Sequence, residues 1–478
     1  MRRVSPKRNR RVQLQFSERK LILMIGDVFA TVIAVAIGLY IWTIVDRSEQ
    51  YQFTVDFLLS QIGWFVALPA VWVTLASAYD LYNLRVAANR WRTFIRLIIV
   101  TAQMIIVYVL VFFLSPVGAL PRLFILYFGV VAFILISLWR SARPALVGWM
   151  SEKRRILIVG GDAGAGLIIR AIHEDAPAEY ELRGIIGSAE QVGQIIEGVP
   201  VLGTGADLSN YLYRDQIREL VVTSTNGLDG VTFQAVMDAY EQGIAIVPMP
   251  ILYERITERV PVEHVKDEWT VVFLPVKNSD AVFDPYPLIK RLIDIILSLI
   301  GMTAFVITMP LVALVIRLDS AGAVFYSQER VGRNGRVFRI WKYRSMVMDA
   351  ERETGPTFSG PADKRVTRVG RFIRKTRIDE LPQVINVLLG DMSIVGPRPE
   401  RPEHVVRLTE NIPFYRTRLI VRPGLTGWAQ VRYDYGKNDV DALIKLQYDL
   451  YYIRHQSILL DLNIILRTVG KVLSMSGV

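Results

Sequence analysis

The stretch KRLIDIILSLIGMTAFVITMPLVALVIRL, residues 290–318, decides how this chain is laid out. It exceeds the roughly 20 apolar residues needed to cross ~30 Å of hydrocarbon. Yet Lys290 and Arg291 precede it, Arg317 lies at its end, and the residues beyond are rich in arginine. Basic segments stay on the cytoplasmic side. Pro310 sits inside the stretch, removing one helical hydrogen bond and bending the axis, at ~3 kcal/mol in an ordinary helix. In lipid the freed carbonyl needs a local donor, and Thr303 or Thr308 is near enough in sequence to supply one. Flanks and proline together predict a re-entrant helix over about 287–317. It enters the membrane, breaks at Met309–Pro310 and leaves on the same face.

The parity of the upstream chain agrees. Apolar stretches fall at 21–45, 57–79, 95–114 and 121–139, each about the length of a membrane span. The first has too long an apolar core, and no small-residue cleavage site after it, to be a cleaved signal peptide. Basic residues cluster in RRVSPKRNRR (2–11), at Arg85, Arg90, Arg92 and Arg96, and at Arg140 and Arg143. The loops DRSEQYQFTVD (46–56) and SPVGALPR (115–122) are far less basic. The N-terminus, the middle loop and everything after residue 140 are therefore expected in the cytoplasm. Asp27, inside the first span, is expected to pack against another helix near the interface.

Composition narrows the chemistry. The 478 residues are 52% apolar with a net charge of +11, which suits a membrane protein whose basic faces meet anionic lipid or phosphate. The long apolar stretches argue against nucleic acid as the partner. Cysteine is absent, and His173, His264, His404 and His455 lack metal-ligand spacing. A bound metal would use carboxylates, favouring magnesium or manganese.

RRILIVGGDAGAGLIIRAI (154–172) reads as a buried strand, a glycine-rich turn and a helix. Further strand-like runs, ELRGIIG, ELVVTS and IAIVPM, alternate with helical ones, predicting a doubly wound, Rossmann-like parallel sheet. The dinucleotide fingerprint is broken. Gly160, Gly161, Gly164 and Gly166 fall in the wrong order, Asp162 faces any incoming phosphate, and the second strand ends in Gly187-Ser188 without an acid. A regulatory or dimerising role is expected there in place of nicotinamide or flavin binding.

The remainder is basic. FYSQERVGRNGRVFRIWKYRSM (325–346) reads as a strand pair. In 364–375 Val366, Val369, Phe372 and Ile373 share a helical stripe beside Arg365, Arg368, Arg371 and Arg374, as in a helix lying on an anionic interface. Next comes KTRIDELPQ (375–383), with adjacent acids among cations. Neighbouring positive charge favours ionised carboxylates, suited to a nucleophile or metal ligand. Adjacency weakens a glycosidase reading.

From Tyr286 onward the chain resembles the catalytic domain of bacterial polyprenol-phosphate phosphoglycosyl transferases, the monotopic sugar transferases. The resemblance rests on QERVGRNG, DELPQ, NVLLGDMSIVGPRPE, VRPGLTGWAQV, YDLYYI and LDL in that order. The upstream regions resemble those of the large branch that primes exopolysaccharide and O-antigen synthesis. The layout implied is a four-span helical bundle (1–150), a Rossmann-like cytoplasmic domain (151–280) and an α/β monotopic catalytic domain (281–478). Met309 replaces the serine that usually precedes the helix-breaking proline.

The resemblance implies transfer of a hexose-1-phosphate from a UDP-sugar to undecaprenyl phosphate, giving the polyprenyl diphosphate sugar and UMP. Asp379 would be the nucleophile, forming an aspartyl phosphosugar, and Glu380 would help it hold Mg2+. Lys342, Arg344, Arg374, Arg398 and Arg422 would bind phosphates or nucleotide, with Gln430, Asp449 and Asp461 as further site residues. A bacterial inner-membrane location, a cytoplasmic active site and a homodimer complete the expectation.

Overall fold

Phe16–Val45 forms one helix of 30 residues, with no proline to interrupt it. The computed structural model describes residues 16–45, 53–79, 81–82, 86–87, 90–114, 123–147, 153–177, 179–224, 228–264, 284–347, 363, 365–433 and 438–473. The basic stretch 2–11, Arg85 and the loop 115–122 lie outside these residues, as does most of the loop 46–56. The chain divides into two compact units, 1–153 and 154–478.

Within the first unit, three helices are long and apolar enough to cross a membrane, over Leu21–Val45, Arg90–Val109 and Phe124–Ala142. The expected span at 57–79 is divided. A helix Val55–Ser60 stops at Gln61, and a second, Ile62–Ala78, has 17 residues, about 26 Å at 1.5 Å per residue. Polar side chains mark the division. Ser60 Oγ donates to the Phe57 carbonyl at 2.6 Å, and Gln61 Oε1 takes the Trp64 indole N–H at 3.1 Å. Phe16–Val45 packs on Phe124–Val147 so closely that a Cβ on Gly26 would lie 2.1 Å from Trp139. Asp27 does meet another helix: Arg140 donates to it through Nε (3.2 Å) and Nη2 (2.5 Å), and through Nη1 to the Leu81 carbonyl (2.9 Å). Both side chains are buried.

The second unit opens with a six-stranded sheet: β1 (Arg154–Val159), β2 (Tyr180–Ile186), β3 (Ile195–Ile196), β4 (Val199–Gly203), β5 (Glu219–Val222) and β6 (Ala245–Pro248). Its order is β3-β4-β2-β1-β5-β6, parallel except for the β3–β4 pair. β1 is buried on both faces, hence its continuous apolar run. Ile156 and Ile158 pack beneath helices Ala163–Asp175 and Met249–Thr257, while Leu157 and Val159 pack beneath Leu208–Arg214 and Gly230–Glu241. At the end of β1, Gly160 has φ +110°, and a Cβ there would lie 2.0 Å from Thr223 Oγ1. Asp162 stays exposed at the helix start, where the sequence reading puts it in the way of a phosphate. It caps the following helix, accepting from Ala165 N at 3.2 Å. Gln191 covers the turn, donating to the Gly161 carbonyl (2.9 Å) and accepting from Ser188 N (3.1 Å).

The decisive stretch is a helix of 34 residues, Tyr286–Asp319. It keeps contact with the following domain along its whole length. Lys290 pairs with Asp461 (2.8 Å), and Asp294 accepts from Ser393 Oγ and Ile394 N (both 2.9 Å). Phe305 meets Phe325 and Tyr343, and Asp319 accepts from Val369 N (3.0 Å). The opposite face exposes Leu292, Leu299, Ile307, Leu311, Leu314 and Leu318. The sequence predicts a break at Met309–Pro310, but the helix continues through both residues. The carbonyl freed by Pro310 belongs to Val306. Thr308 instead donates to Ala304 and Phe305, and Thr303 to Leu299, because a threonine hydroxyl reaches back to its own preceding turn.

Beyond it, β7 (Phe325–Val331) and β8 (Val337–Tyr343) pair antiparallel from Phe325↔Tyr343 to Val331↔Val337. β9 (Ser393–Val395) and β10 (Gly424–Thr426) form a short parallel pair. Helices Asp439–Arg454 and Ile458–Leu473 close the core around Trp428, Leu446, Leu450, Tyr452 and Ile464. Val260 and Val262, which follow the parallel sheet, join this same core.

Candidate active site

The acidic pair is presented by a change of helix type. Thr367 Oγ1 accepts from Gly370 N at 2.9 Å and starts the basic helix Arg368–Lys375, as an N-cap threonine does. Arg377 then takes φ 62°, a left-handed conformation uncommon outside glycine, and redirects the chain into a 3₁₀ turn, Ile378–Gln383. A short helix, Val384–Leu389, follows and ends at Gly390, φ 93°. Asn386 ties this segment to β8: its Nδ2 donates to the Arg339 carbonyl (2.8 Å) and its Oδ1 accepts from Trp341 N (3.3 Å). The end of β8 thereby lies over the acidic pair.

Asp379 and Glu380 are both buried, at 7% and 8% exposure. Glu380 Oε1 accepts from Lys342 Nζ (2.9 Å) and Arg398 Nη2 (2.8 Å), while Arg377 Nη1 lies 3.8 Å from Oε2. Burial pulls the Glu380 carboxyl upward, but Arg398, Lys342 and Arg377 outweigh it and hold the group well below the usual range. Asp379 goes the other way. Burial, reinforced by the Glu380 charge, pushes it up to about 6 against Lys342, Arg374 and Arg377. The expectation that neighbouring cations favour both ionised carboxylates therefore holds for Glu380 alone. The cations bond to Glu380, while Asp379 Oδ1 is buried with no hydrogen-bond partner.

Of the other expected site residues, the fold gathers Lys342 and Arg398 at the pair. Arg374 stands one step back, donating from Nε to Ser345 Oγ (2.8 Å). Arg344 turns away from the pair. It donates to the Ala321 carbonyl (2.8 Å) and to Ser320 O (2.6 Å) and Oγ (3.2 Å), closing the C-terminal end of the long helix. Arg422 makes no hydrogen bond or ion pair among the described residues. Gln430 Nε2 reaches the Leu425 carbonyl at 3.4 Å. Asp461 accepts from Lys290, Tyr286 (3.0 Å) and Tyr452 (2.8 Å), at the start of the long helix.

Asp449 pairs with Arg418 at 2.8 Å, both buried. Burial pushes Asp449 up to about 6 against the pull of Arg418. Arg418 Nη2 also donates to the Arg398 carbonyl (3.0 Å), so Asp449 supports the backbone of a residue that holds Glu380. Sequence reasoning did not single out Arg377 as a partner of Glu380, nor Asn386, Arg418 or Gln383. Gln383 and Asn386 carry a readable signal, amides following an acidic pair by three and six residues; Arg418 carries none. Among the described residues no group of three or more acids and histidines gathers to hold a metal.

Two family models match the chain. The model described as bacterial sugar transferase covers residues 285–475, and that described as CoA-binding domain covers 77–224. The chain is 43% identical over 224 residues to the UDP-N-acetylgalactosamine-undecaprenyl-phosphate N-acetylgalactosaminephosphotransferase of Aeromonas hydrophila, 47% of this chain and 51% of that protein. It is 33% identical over 282 residues to the UDP-glucose:undecaprenyl-phosphate glucose-1-phosphate transferase of Xanthomonas campestris pv. campestris, 58% of this chain and 57% of that one. The chain thus spans about half the length of these two relatives. Against the exopolysaccharide production protein PSS of Rhizobium leguminosarum bv. phaseoli it is 40% identical over 190 residues, 38% of this chain and 93% of that protein.

Proposed function

The chain belongs to the bacterial sugar transferase family, and from that premise we propose that it transfers a hexose-1-phosphate from a UDP-sugar to undecaprenyl phosphate. The products are undecaprenyl-diphosphate-sugar and UMP, in the first membrane step of surface polysaccharide synthesis. The observation that carries this reading is the buried, unpartnered Oδ1 of Asp379 beside a Glu380 held by three cations. An oxygen with no hydrogen bond to shed is poised to attack phosphorus, and an aspartyl phosphosugar divides one difficult transfer into two easier ones. The surrounding cations attract both the nucleotide diphosphate and the lipid phosphate.

Magnesium fits this corner, because such ions commonly take one or two carboxylates with substrate phosphates, and Asp379 has two oxygens, one to attack and one to ligate. When bound it would neutralise charge on the diphosphate. Glu380, the other expected ligand, spends Oε1 on Lys342 and Arg398 and holds those cations toward the substrate.

We read the helix Tyr286–Asp319 as re-entrant. Lys290 and Asp319 stand near its two ends, yet each bonds to the domain that follows, and Pro310 between them lets the axis bend while the chain stays helical. The absence of cysteine in the chain makes a clean test possible. Single cysteines replacing Leu288 and Ser320 are expected to react with a membrane-impermeant maleimide only from the cytoplasmic side. Labelling of position 320 from the outside would make the helix a span.

The inner membrane, with the active site facing the cytoplasm, agrees with the basic residues that follow each outward return of the chain. A homodimer through the Rossmann-like domain would occupy the exposed Phe233, Met237 and Tyr240 of helix Gly230–Glu241. The transfer itself is tested by incubating purified protein with undecaprenyl phosphate, magnesium and a panel of UDP-glucose, UDP-galactose and their N-acetylamino forms. UMP release that requires lipid and one particular sugar is expected. Silence across the panel would remove the transferase reading.

A further inference from the structure

We propose that Gln383 is a further catalytic residue, whose side-chain amide donates a hydrogen bond to a non-bridging oxygen of the phosphoryl group that Asp379 attacks. This inference rests on the transferase reading above. Gln383 is 4% exposed, and its buried Nε2 has no hydrogen-bond partner. Buried amide donors are almost always satisfied, so one left open points to a missing acceptor.

The direction of the side chain follows from the turn that carries it. Residues Ile378–Gln383 form a 3₁₀ segment, in which side chains at i and i+3 eclipse. Gln383 therefore stands on the side of the turn that carries Glu380, whose own partners are Lys342 and Arg398. Four residues before it, Asp379 Oδ1 is likewise buried without a partner. A donor and an acceptor left open on one short segment call for a ligand with two properties. One of its atoms must accept a hydrogen bond, and another must be open to a carboxylate oxygen. A phosphoryl group has both: its non-bridging oxygens accept only, and its phosphorus is the electrophile. The neighbouring cations bond to Glu380, which leaves the neutral amide as the donor with nothing else to bond.

In the first step the Asp379 oxygen forms a bond to the sugar-bearing phosphorus. The bond from that phosphorus to the bridging oxygen breaks, and its electron pair leaves with UMP. In the second, an oxygen of the lipid phosphate bonds to the same phosphorus and the Asp379 carboxylate departs with the electron pair. No proton need move in either. The Gln383 amide serves both steps by holding the equatorial oxygens as the bonds exchange, since such transfer is largely positioning and charge stabilisation.

The test compares the full-length wild type with Gln383→Glu, Gln383→Ala and Asp379→Asn, using undecaprenyl phosphate, magnesium chloride and the UDP-sugar that the wild type turns over. Gln383→Glu preserves size and replaces the donor by an acceptor. It is expected to lower kcat by about 10²-fold, the usual loss for one such donor, with KM for the nucleotide sugar and the unfolding temperature little changed. UMP release in a single turnover without lipid should slow by the same factor. Loss in Gln383→Ala alone, with Gln383→Glu at the wild-type rate, would assign the residue to packing and overturn the proposal. So would a raised KM at unchanged kcat. Asp379-dependent release with both Gln383 variants at full rate overturns this proposal alone. A wild type that releases no UMP takes down the transferase reading and this inference together.

Discussion

Asparagine at position 379 is expected to lower UMP release by about 10⁴-fold or more, the scale of loss when an essential nucleophile is removed, while the protein stays folded and inserted. The amide has the shape of the carboxylate but cannot form the acyl phosphate. Burial pushes the Asp379 carboxyl up to about 6, above the ~3.9 of an unfolded chain, so its ionisation works against the fold. That penalty is absent below the unfolded value, grows as pH rises toward 6, and is constant above it. Asp379→Asn should therefore unfold at a higher temperature than the wild type at pH 8, with the difference shrinking toward pH 4. Single-turnover UMP release and thermal scans at the two pH values check both parts. Substantial transfer by the variant would take the nucleophile's role from Asp379. A lower unfolding temperature at pH 8 would mean that the carboxylate is stabilised by contacts its geometry does not contain.

Leucine at position 27 is expected to destabilise the helical unit by ~3–5 kcal/mol, the usual effect of removing one partner from a buried ion pair. Arg140 would keep its bond to the Leu81 carbonyl but lose both to Asp27, leaving a buried cation without its counter-charge. The double variant, Asp27→Leu with Arg140→Met, should recover most of the loss, because a well-packed apolar pair often replaces a buried ion pair at little cost. Denaturation of detergent-solubilised protein measures both. If Asp27→Leu is as stable as the wild type, the Arg140 charge is being neutralised by another route. If the double variant stays as unstable as the single one, the loss comes from packing.

Local residue pattern was enough to read the membrane helices where apolar runs are uninterrupted, at Phe16–Val45 and Arg90–Leu114. It failed at Gln61, where two consecutive polar side chains inside an apolar average divide one expected helix into two. At Pro310 it predicted a break where the chain stays helical. The missing N–H is visible in the sequence, but continuity of the helix depends on packing along Phe305 and Ile316, supplied by residues more than twenty positions away. For the parallel sheet, the alternation of strand and helix was readable and the strand order was not. Likewise Asp162 was visible as an acid in a phosphate position, whereas Gln191 folding back over the turn was not.

At the candidate site, motif and charge pointed to Asp379 and Glu380, and to Lys342 and Arg398 as cations that belong with them. Their division of labour was not legible. Two adjacent carboxylates among arginines look alike in a sequence, since charge composition says nothing of which oxygen each guanidinium reaches. Chain direction separates them: Arg377, in a left-handed conformation, starts a 3₁₀ turn that sends Glu380 to the cations and leaves an Asp379 oxygen without a partner. The same holds for Arg344, Asp449 and Asp461, which bond to Ala321, Arg418 and Lys290 across 23, 31 and 171 residues. What the sequence by itself determined is which segments are apolar, which are basic and where the acids stand, because those properties belong to single residues and their near neighbours. Only the tertiary structure decided which acid is neutralised and which is left open, because burial and pairing depend on groups brought together from distant parts of the chain.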